Sequence, residues 1–150
     1  MGHWEGDTVY GQDSYLVTMV ERVTKIVLTC HVKKKTKKNV ARAIKKRLKP
    51  FKHLCHTITF DNGLPAESII NDTKNRDLAK PYHSWQRGLN QNTNGLLRRF
   101  FPKGMAIKSL PKKEIEQAQL LINMRPRKAL NYFSPIEFLT GKRVSLIAAI

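Results

Sequence analysis

Three strand-type segments joined by connections of a few residues open the chain, and they leave little choice of fold. Glu5 to Tyr10, Tyr15 to Glu21 and Lys25 to Val32 are rich in Val, Thr, Tyr and Ile, side chains that fit a pleated, half-buried surface. Gly11-Gln12-Asp13-Ser14 and Arg22-Val23-Thr24 are long enough to close hairpins and too short for a crossover, so the three strands should form an antiparallel meander. Thr36 is then placed to cap a helix reaching Lys49, since Val40, Ala43, Ile44 and Leu48 recur at helical spacing and Pro50 lies beyond them. A fourth strand is expected over His56 to Phe60, ending at the turn Asp61-Asn62-Gly63. With a helix intervening, it should lie parallel to an earlier strand.

The second half is less decided. Leu64 to Arg76 mixes Ile69 and Ile70 with Pro65, Asn71, Asp72 and Asn75, which supports at most a short helix. Asp77 to Lys80 reads as a fifth, short strand. Leu89 to Phe101 should contain a helix, and Pro111 to Met124 another with Ile115, Ala118, Leu121 and Ile122 on one face. Ser134-Pro135 starts a last short helix, with Pro135 at its first position. The order predicts one α/β domain over 1–150: a five-stranded mixed sheet, its first three strands antiparallel, flanked by helices.

Composition narrows the partner. Lys and Arg number 28 against 11 Asp and Glu, a formal charge of +17, far more than solubility requires and directed at a polyanion. Anionic lipid is the weaker reading, because no basic helix carries a Trp or Phe face. No apolar stretch is long enough to cross a bilayer and no basic-then-apolar leader opens the chain, so the expected location is cytoplasmic. Cys30 and Cys55 sit in apolar surroundings without metal-pair spacing and read as buried, reduced thiols. His53, Cys55 and His56 lack the two separated pairs of a structural zinc site, and His3 and His31 take no functional role either.

Carboxylates that hold cations for phosphodiester chemistry must converge from separate elements. Asp7 falls in the middle of the first strand and Asp61 at the end of the fourth. If those strands are neighbours, the two aspartates approach, and a helix after Gly88 can bring position 91 to the same edge. Each has a bland reading: Asp61 as a turn former, Asp7 as an edge-strand charge, Gln91 as a solvated helix residue.

The blocks Gly2-His3-Trp4-Glu5-Gly6-Asp7-Thr8-Val9, Leu16-Val17-Thr18-Met19-Val20-Glu21-Arg22, Thr57-Ile58-Thr59-Phe60-Asp61-Asn62-Gly63 and Pro81-Tyr82-His83-Ser84-Trp85 occur in succession. Asn90-Gln91-Asn92-Thr93-Asn94-Gly95-Leu96, Phe100-Phe101-Pro102-Lys103-Gly104 and Asn123-Met124-Arg125-Pro126-Arg127-Lys128 continue the series. Together they resemble the insertion-sequence-thirty family of bacterial transposases, over nearly the whole chain. The resemblance implies a ribonuclease H-like integrase core in which three acids hold Mg²⁺ or Mn²⁺ to cleave and rejoin DNA. It implies Asp7 and Asp61 as the first two metal ligands and position 91 as the third. Here the chain departs from the family: Gln91 offers an amide oxygen without charge, which should weaken metal binding. Gln86 also replaces the usual Glu, the stretch from Leu64 to Lys80 is shorter than in the family, and the helix-turn-helix region that reads DNA is expected to be absent before Met1.

For DNA contact the run Lys33, Lys34, Lys35, Lys37 and Lys38 offers phosphate neutralisation without base reading, against the bland reading of a solvated helix face. Arg87, Arg98, Arg99, Lys103, Arg125, Arg127 and Lys128 lie closer in the inferred arrangement to the acids, and their guanidinium groups suit bidentate phosphate contacts. His83 and Trp85 could stack on an unpaired base, although Trp85 serves equally well as a core anchor, and Trp4 reads as core. Two functions from different classes remain. One is a transposase core with DNA as partner, working as a homo-oligomer or with full-length subunits and compensating for Gln91 through Glu5 or Glu67. The other is an inactive fragment that only binds DNA or other subunits.

Overall fold

The computed structural model describes residues 1–34, 36–60 and 87–143, with the backbone alone at Lys37 and over 87–90. Strands β1 (His3–Tyr10), β2 (Tyr15–Glu21) and β3 (Val27–Val32) form the expected meander. β4 (Thr57–Phe60) pairs parallel with β1, giving the order β3-β2-β1-β4. The described residues hold four strands, and the fifth expected over 77–80 lies outside them. β3 begins two residues later than the sequence suggests because Lys25 takes a left-handed conformation, φ 60°, in the turn that Glu21 closes.

Helix α1 (Lys37–Leu48) starts where Thr36 accepts the Asn39 amide at 3.2 Å, and it buries Val40, Ala41, Ile44 and Leu48. Pro50 does not stop the chain at once. It sits in the first turn of a 3₁₀ segment, Lys49–Leu54, whose Leu54 carbonyl accepts the Trp4 indole N–H at 3.0 Å. Helices α2 (Arg87–Leu97), α3 (Lys112–Asn123) and α4 (Pro135–Thr140) follow, with a short 3₁₀ turn at Lys128–Leu130. α2 begins two residues before the stretch expected to contain it and ends inside that stretch, loosening into turns over 98–101. Pro135 takes the first position of α4 as expected, and Ser134 and Glu137 cap the helix reciprocally.

Strand alternation sends side chains to two cores. Trp4, Val17, Met19, Leu28, Cys30, Ile58 and Phe60 pack against α1. Val9, Leu16, Val20 and Val27 pack against α2 and α3 through Leu97, Ile115, Ala118 and Ile122. Leu121 corrects the helical-face reading: it is 49% exposed, and the inward position is taken by Asn123. The reason is that α3 lies against the open edge of β3, where backbone groups need polar partners. Asn123 accepts the Val27 amide and donates to the Val27 carbonyl, both at 2.8 Å, while Gln119 accepts the Thr29 amide at 2.8 Å.

Candidate functional site

Asp7 sits in mid-β1 on the sheet face that α2 covers, sharing that face with Val9 and with Thr18, its register partner on β2. Its carboxylate is half-buried and held at both oxygens. Oδ1 accepts the Thr8 amide at 2.7 Å, and Oδ2 accepts Asn94 Nδ2 from α2 at 2.6 Å. A carboxylate only accepts when ionised, so the Asn94 amide must turn its nitrogen toward Asp7 and its oxygen toward Thr18. The fully buried Thr18 hydroxyl lies 3.5 Å from that oxygen and 3.4 Å from the Asp7 carbonyl, long contacts that orient more than they bind. Asn94 and Thr18 were not singled out by the sequence reading. The only local signal was the position of Asn94 one helical turn after Gln91.

Gln91 lies on α2 in the turn preceding Asn94 and is exposed. The same helix therefore carries both the residue that touches Asp7 and the position where a third acid was expected. Asp61 lies outside the described residues, as do His83, Trp85, Glu67 and Lys35. The last described residue of β4, Phe60, pairs with Gly6, the neighbour of Asp7. Gly6 has no room for a side chain: a Cβ there would stand 2.1 Å from the Phe60 ring. Among the described residues no three His, Cys, Asp or Glu side chains converge as a metal-binding group.

Two buried glutamates of the β1–β2 hairpin behave differently. Glu5, two residues before Asp7 on the same face of β1, accepts Arg22 Nε at 2.8 Å through Oε1, while its Oε2 has no hydrogen-bond partner. Burial pushes its carboxyl above the ordinary range despite Arg22 beside it. Burial also acts on Glu21, yet the Thr24 amide and hydroxyl and the Gly2 amide outweigh it and hold that carboxyl below its usual value. Both thiols are free and burial pushes them up, Cys30 to about 12 and Cys55 to about 11, which leaves them inert at neutral pH.

The expected phosphate-binding cations divide. Lys33, Lys34 and Lys38 are exposed where β3 passes into α1, and Arg99, Lys103, Arg125 and Lys128 are exposed on the α2–α3 side. Arg98 and Arg127 are engaged internally: Arg98 donates to the Tyr10 carbonyl at 3.0 Å and Arg127 to the Ile122 carbonyl at 3.3 Å. Arg127 is half-buried, and burial lowers its pKa from the usual value. Arg87 is described by its backbone alone at the start of α2, and Lys37 likewise in the first turn of α1.

Residues 1–86 match the integrase core domain family. The chain is 36% identical over 142 residues to the transposase for insertion sequence element IS4351 of Bacteroides fragilis, covering 91% of this chain and 44% of that protein. It is 32% identical over 145 residues to transposase InsI for insertion sequence element IS30A of Escherichia coli (strain K12), covering 93% of this chain and 38% of that one. It therefore spans about two fifths of the length of these curated relatives. Among solved structures, the catalytic core domain of BIV integrase superposes with a TM-score of 0.67 at 17% identity, over 93% of this chain and 95% of that one. A chain of the simian T-cell lymphotropic virus intasome in complex with PP2A regulatory subunit B56 gamma gives 0.68 at 20% identity, over 95% of this chain and 55% of that one. At these identities the likeness is one of fold, an integrase catalytic core with a mixed sheet between helices.

Proposed function

Because this chain belongs to the integrase core domain family, we propose that it is the catalytic core of a DDE-type transposase, acting on DNA in the cytoplasm with Asp7, Asp61 and position 91 as its site. The observation that carries the reading is the state of Asp7. A carboxylate in mid-strand would be costly without partners, and this one is fixed by Thr8 and by Asn94 from the helix that bears Gln91. Two of its roughly four acceptor positions are used, so acceptor capacity for a cation remains.

The donor set suits Mg²⁺ or Mn²⁺: two carboxylates and an amide oxygen are hard oxygen ligands. When bound, such ions lower the barrier to phosphodiester cleavage and strand transfer by stabilising charge on the attacking and leaving oxygens. The chain's own part is orientation. Asn94 and Thr8 hold the Asp7 carboxylate in one rotamer, and α2 presents position 91 from the adjacent turn. Gln91 contributes no charge, so the site is weakened in electrostatic terms. Exposed cations at Lys33, Lys34, Lys38, Arg99, Lys103, Arg125 and Lys128 would neutralise DNA phosphates. Further copies of the chain, or longer transposase subunits, would complete the assembly.

A second reading, an inactive core that binds DNA without cutting it, is favoured by the uncharged, exposed Gln91. Metal-dependent nicking of a labelled DNA end separates the two. Gln91→Glu should raise nicking in Mn²⁺ and tighten Mn²⁺ binding by calorimetry, and Asp7→Asn in that background should abolish both. Equal cleavage by parent and Gln91→Glu would remove position 91 from the site. Cleavage by neither would leave the binding-only reading.

A further inference from the structure

The groove along the free edge of β3 is a separate feature. It has a volume of about 560 Å³, lies between α1 and α3, and is lined by Lys33, Lys46, Arg47, Lys108 and Lys112 with a single carboxylate, Glu116. Glu116 is itself 3.6 Å from Lys112. A smaller hollow of about 390 Å³ shares His31, Lys33 and Ala43 with it and continues past Lys34 to Asn39 at the start of α1. Like charges gathered on low-dielectric walls raise a strong positive potential, and nothing else among the described groove residues offsets it.

Two details of the lining point to an anion. Arg47 lines the groove, and its Nε is buried without a hydrogen-bond partner, so a small shift of the guanidinium toward an incoming acceptor would remove the penalty of a desolvated donor. The outward amides of Val27 and Thr29 are occupied by Asn123 and Gln119. By the alternation of an antiparallel ladder the next outward amide is that of His31, which lines the groove. Asp7 is on β1, two strands in from this edge, so the groove is no part of the cleavage site.

We propose that this groove holds a phosphodiester backbone, a DNA contact separate from the strand presented to Asp7. The inference rests on the transposase-core reading and extends it to Lys46, Arg47, Lys108 and Lys112, which form a phosphate track running on from Lys33 and Lys34. Lysines and one fork-shaped guanidinium in a long furrow fit spaced phosphates better than a single compact anion.

The test is the salt dependence of binding to a fluorescein-labelled duplex, read by anisotropy. Lys46→Gln with Lys108→Gln should make the slope of log affinity against log salt shallower by about 1.8, two phosphate contacts at about 0.9 each. Lys52→Gln with Lys142→Gln removes the same charge elsewhere and should leave the slope within error of the parent. The Arg47 Nε–Hε resonance should also shift when the parent is titrated with that duplex. An equal change in both pairs, or none in the groove pair, overturns the proposal. So does a parent that sediments as a dimer which the groove pair dissociates, since a second copy would then occupy the furrow. A parent that nicks DNA in Mn²⁺ while the groove pair keeps the parental slope sinks the groove alone. A parent with no salt-dependent DNA binding sinks the core reading with it.

Discussion

Asn94 Nδ2 donates to Asp7 Oδ2 at 2.6 Å, linking α2 to the middle of β1 from the helical turn after Gln91. The contact makes Asn94 a positioning residue for the proposed first metal ligand. A hydrogen bond to a charged group contributes more than a neutral one, so Asn94→Ala should lower unfolding free energy by roughly 1.5 kcal/mol. Asn94→Asp sets a second negative charge against Asp7 and should destabilise further at neutral pH, with the difference from Asn94→Ala disappearing in acid. Urea unfolding at two pH values measures both. Calorimetry should also show weaker Mn²⁺ binding by Asn94→Ala, a change that loss of fold stability alone would not produce.

Gly6 pairs with Phe60 across the β1–β4 ladder, and the Phe60 ring occupies the space where a side chain would stand, 2.1 Å from an ideal Cβ. The Phe60 ring, or the parallel pairing that carries it, must move to admit a methyl group. Gly6→Ala should therefore destabilise by about 1 to 3 kcal/mol, the range for overpacking. Combined with Phe60→Leu, the loss should be smaller than the sum of the two single losses, because the second change removes the obstacle. Additive losses would show that the two positions do not interact.

Glu21 organises the turn between β2 and β3. It is 2% exposed and accepts from the Gly2, Val23 and Thr24 amides and the Thr24 hydroxyl. Its folded pKa lies below the ordinary 4.5. The stabilisation is thus fully present above pH 4.5 and is lost as pH falls through the lowered folded value. Glu21→Gln should lose roughly 3 kcal/mol at pH 7, on the scale of several hydrogen bonds to a buried charge. The gap between parent and variant should close as pH drops below 4.5, which thermal melts across a pH series would record.

The elements that depend on local pattern were legible in the sequence, and those that depend on what lies across the fold were not. The meander followed from β-branched runs with short links, Thr36 marked one helix start through capping chemistry, and Ser134-Pro135 marked another by the place of Pro135 at the first helical position. β4 lies parallel to an earlier strand as expected, and that strand is β1, which carries Asp7. Thr18 carries no local mark and Asn94 only its place one turn after Gln91, because their roles come from meeting Asp7 across 11 and 87 residues of chain. Arg98 was expected to meet phosphate, and its guanidinium also donates to the Tyr10 carbonyl at the end of β1, a partner that the sequence does not mark. The β3-edge groove joins residues from β3, α1 and the approach to α3, and no linear run predicts that union. Leu121 failed for a physical reason: hydrophobic periodicity assumes an apolar neighbour, and α3 meets a strand edge instead.

That edge supports the last prediction. β3 has β2 on one side only, and an uncovered strand edge invites pairing with another chain. Asn123 is 5% exposed and satisfies both the Val27 amide and the Val27 carbonyl. Asn123→Ala would leave those two backbone groups buried without partners, and each carries a penalty of roughly 1 to 3 kcal/mol. Asn123→Leu, although apolar enough for the surrounding core, restores neither bond and should be no more stable than Asn123→Ala. Gln119→Ala should be milder, because Thr29 is less deeply enclosed than Val27 and water can replace the lost acceptor. Hydrogen exchange would follow the edge directly: in Asn123→Ala the Val27 amide should lose protection while the amides of β1 that pair with β2 keep theirs. Unchanged protection at Val27 would mean that water or a shifted α3 replaces the amide, and the edge would then be held by packing of Ile122 and Ala118 rather than by Asn123.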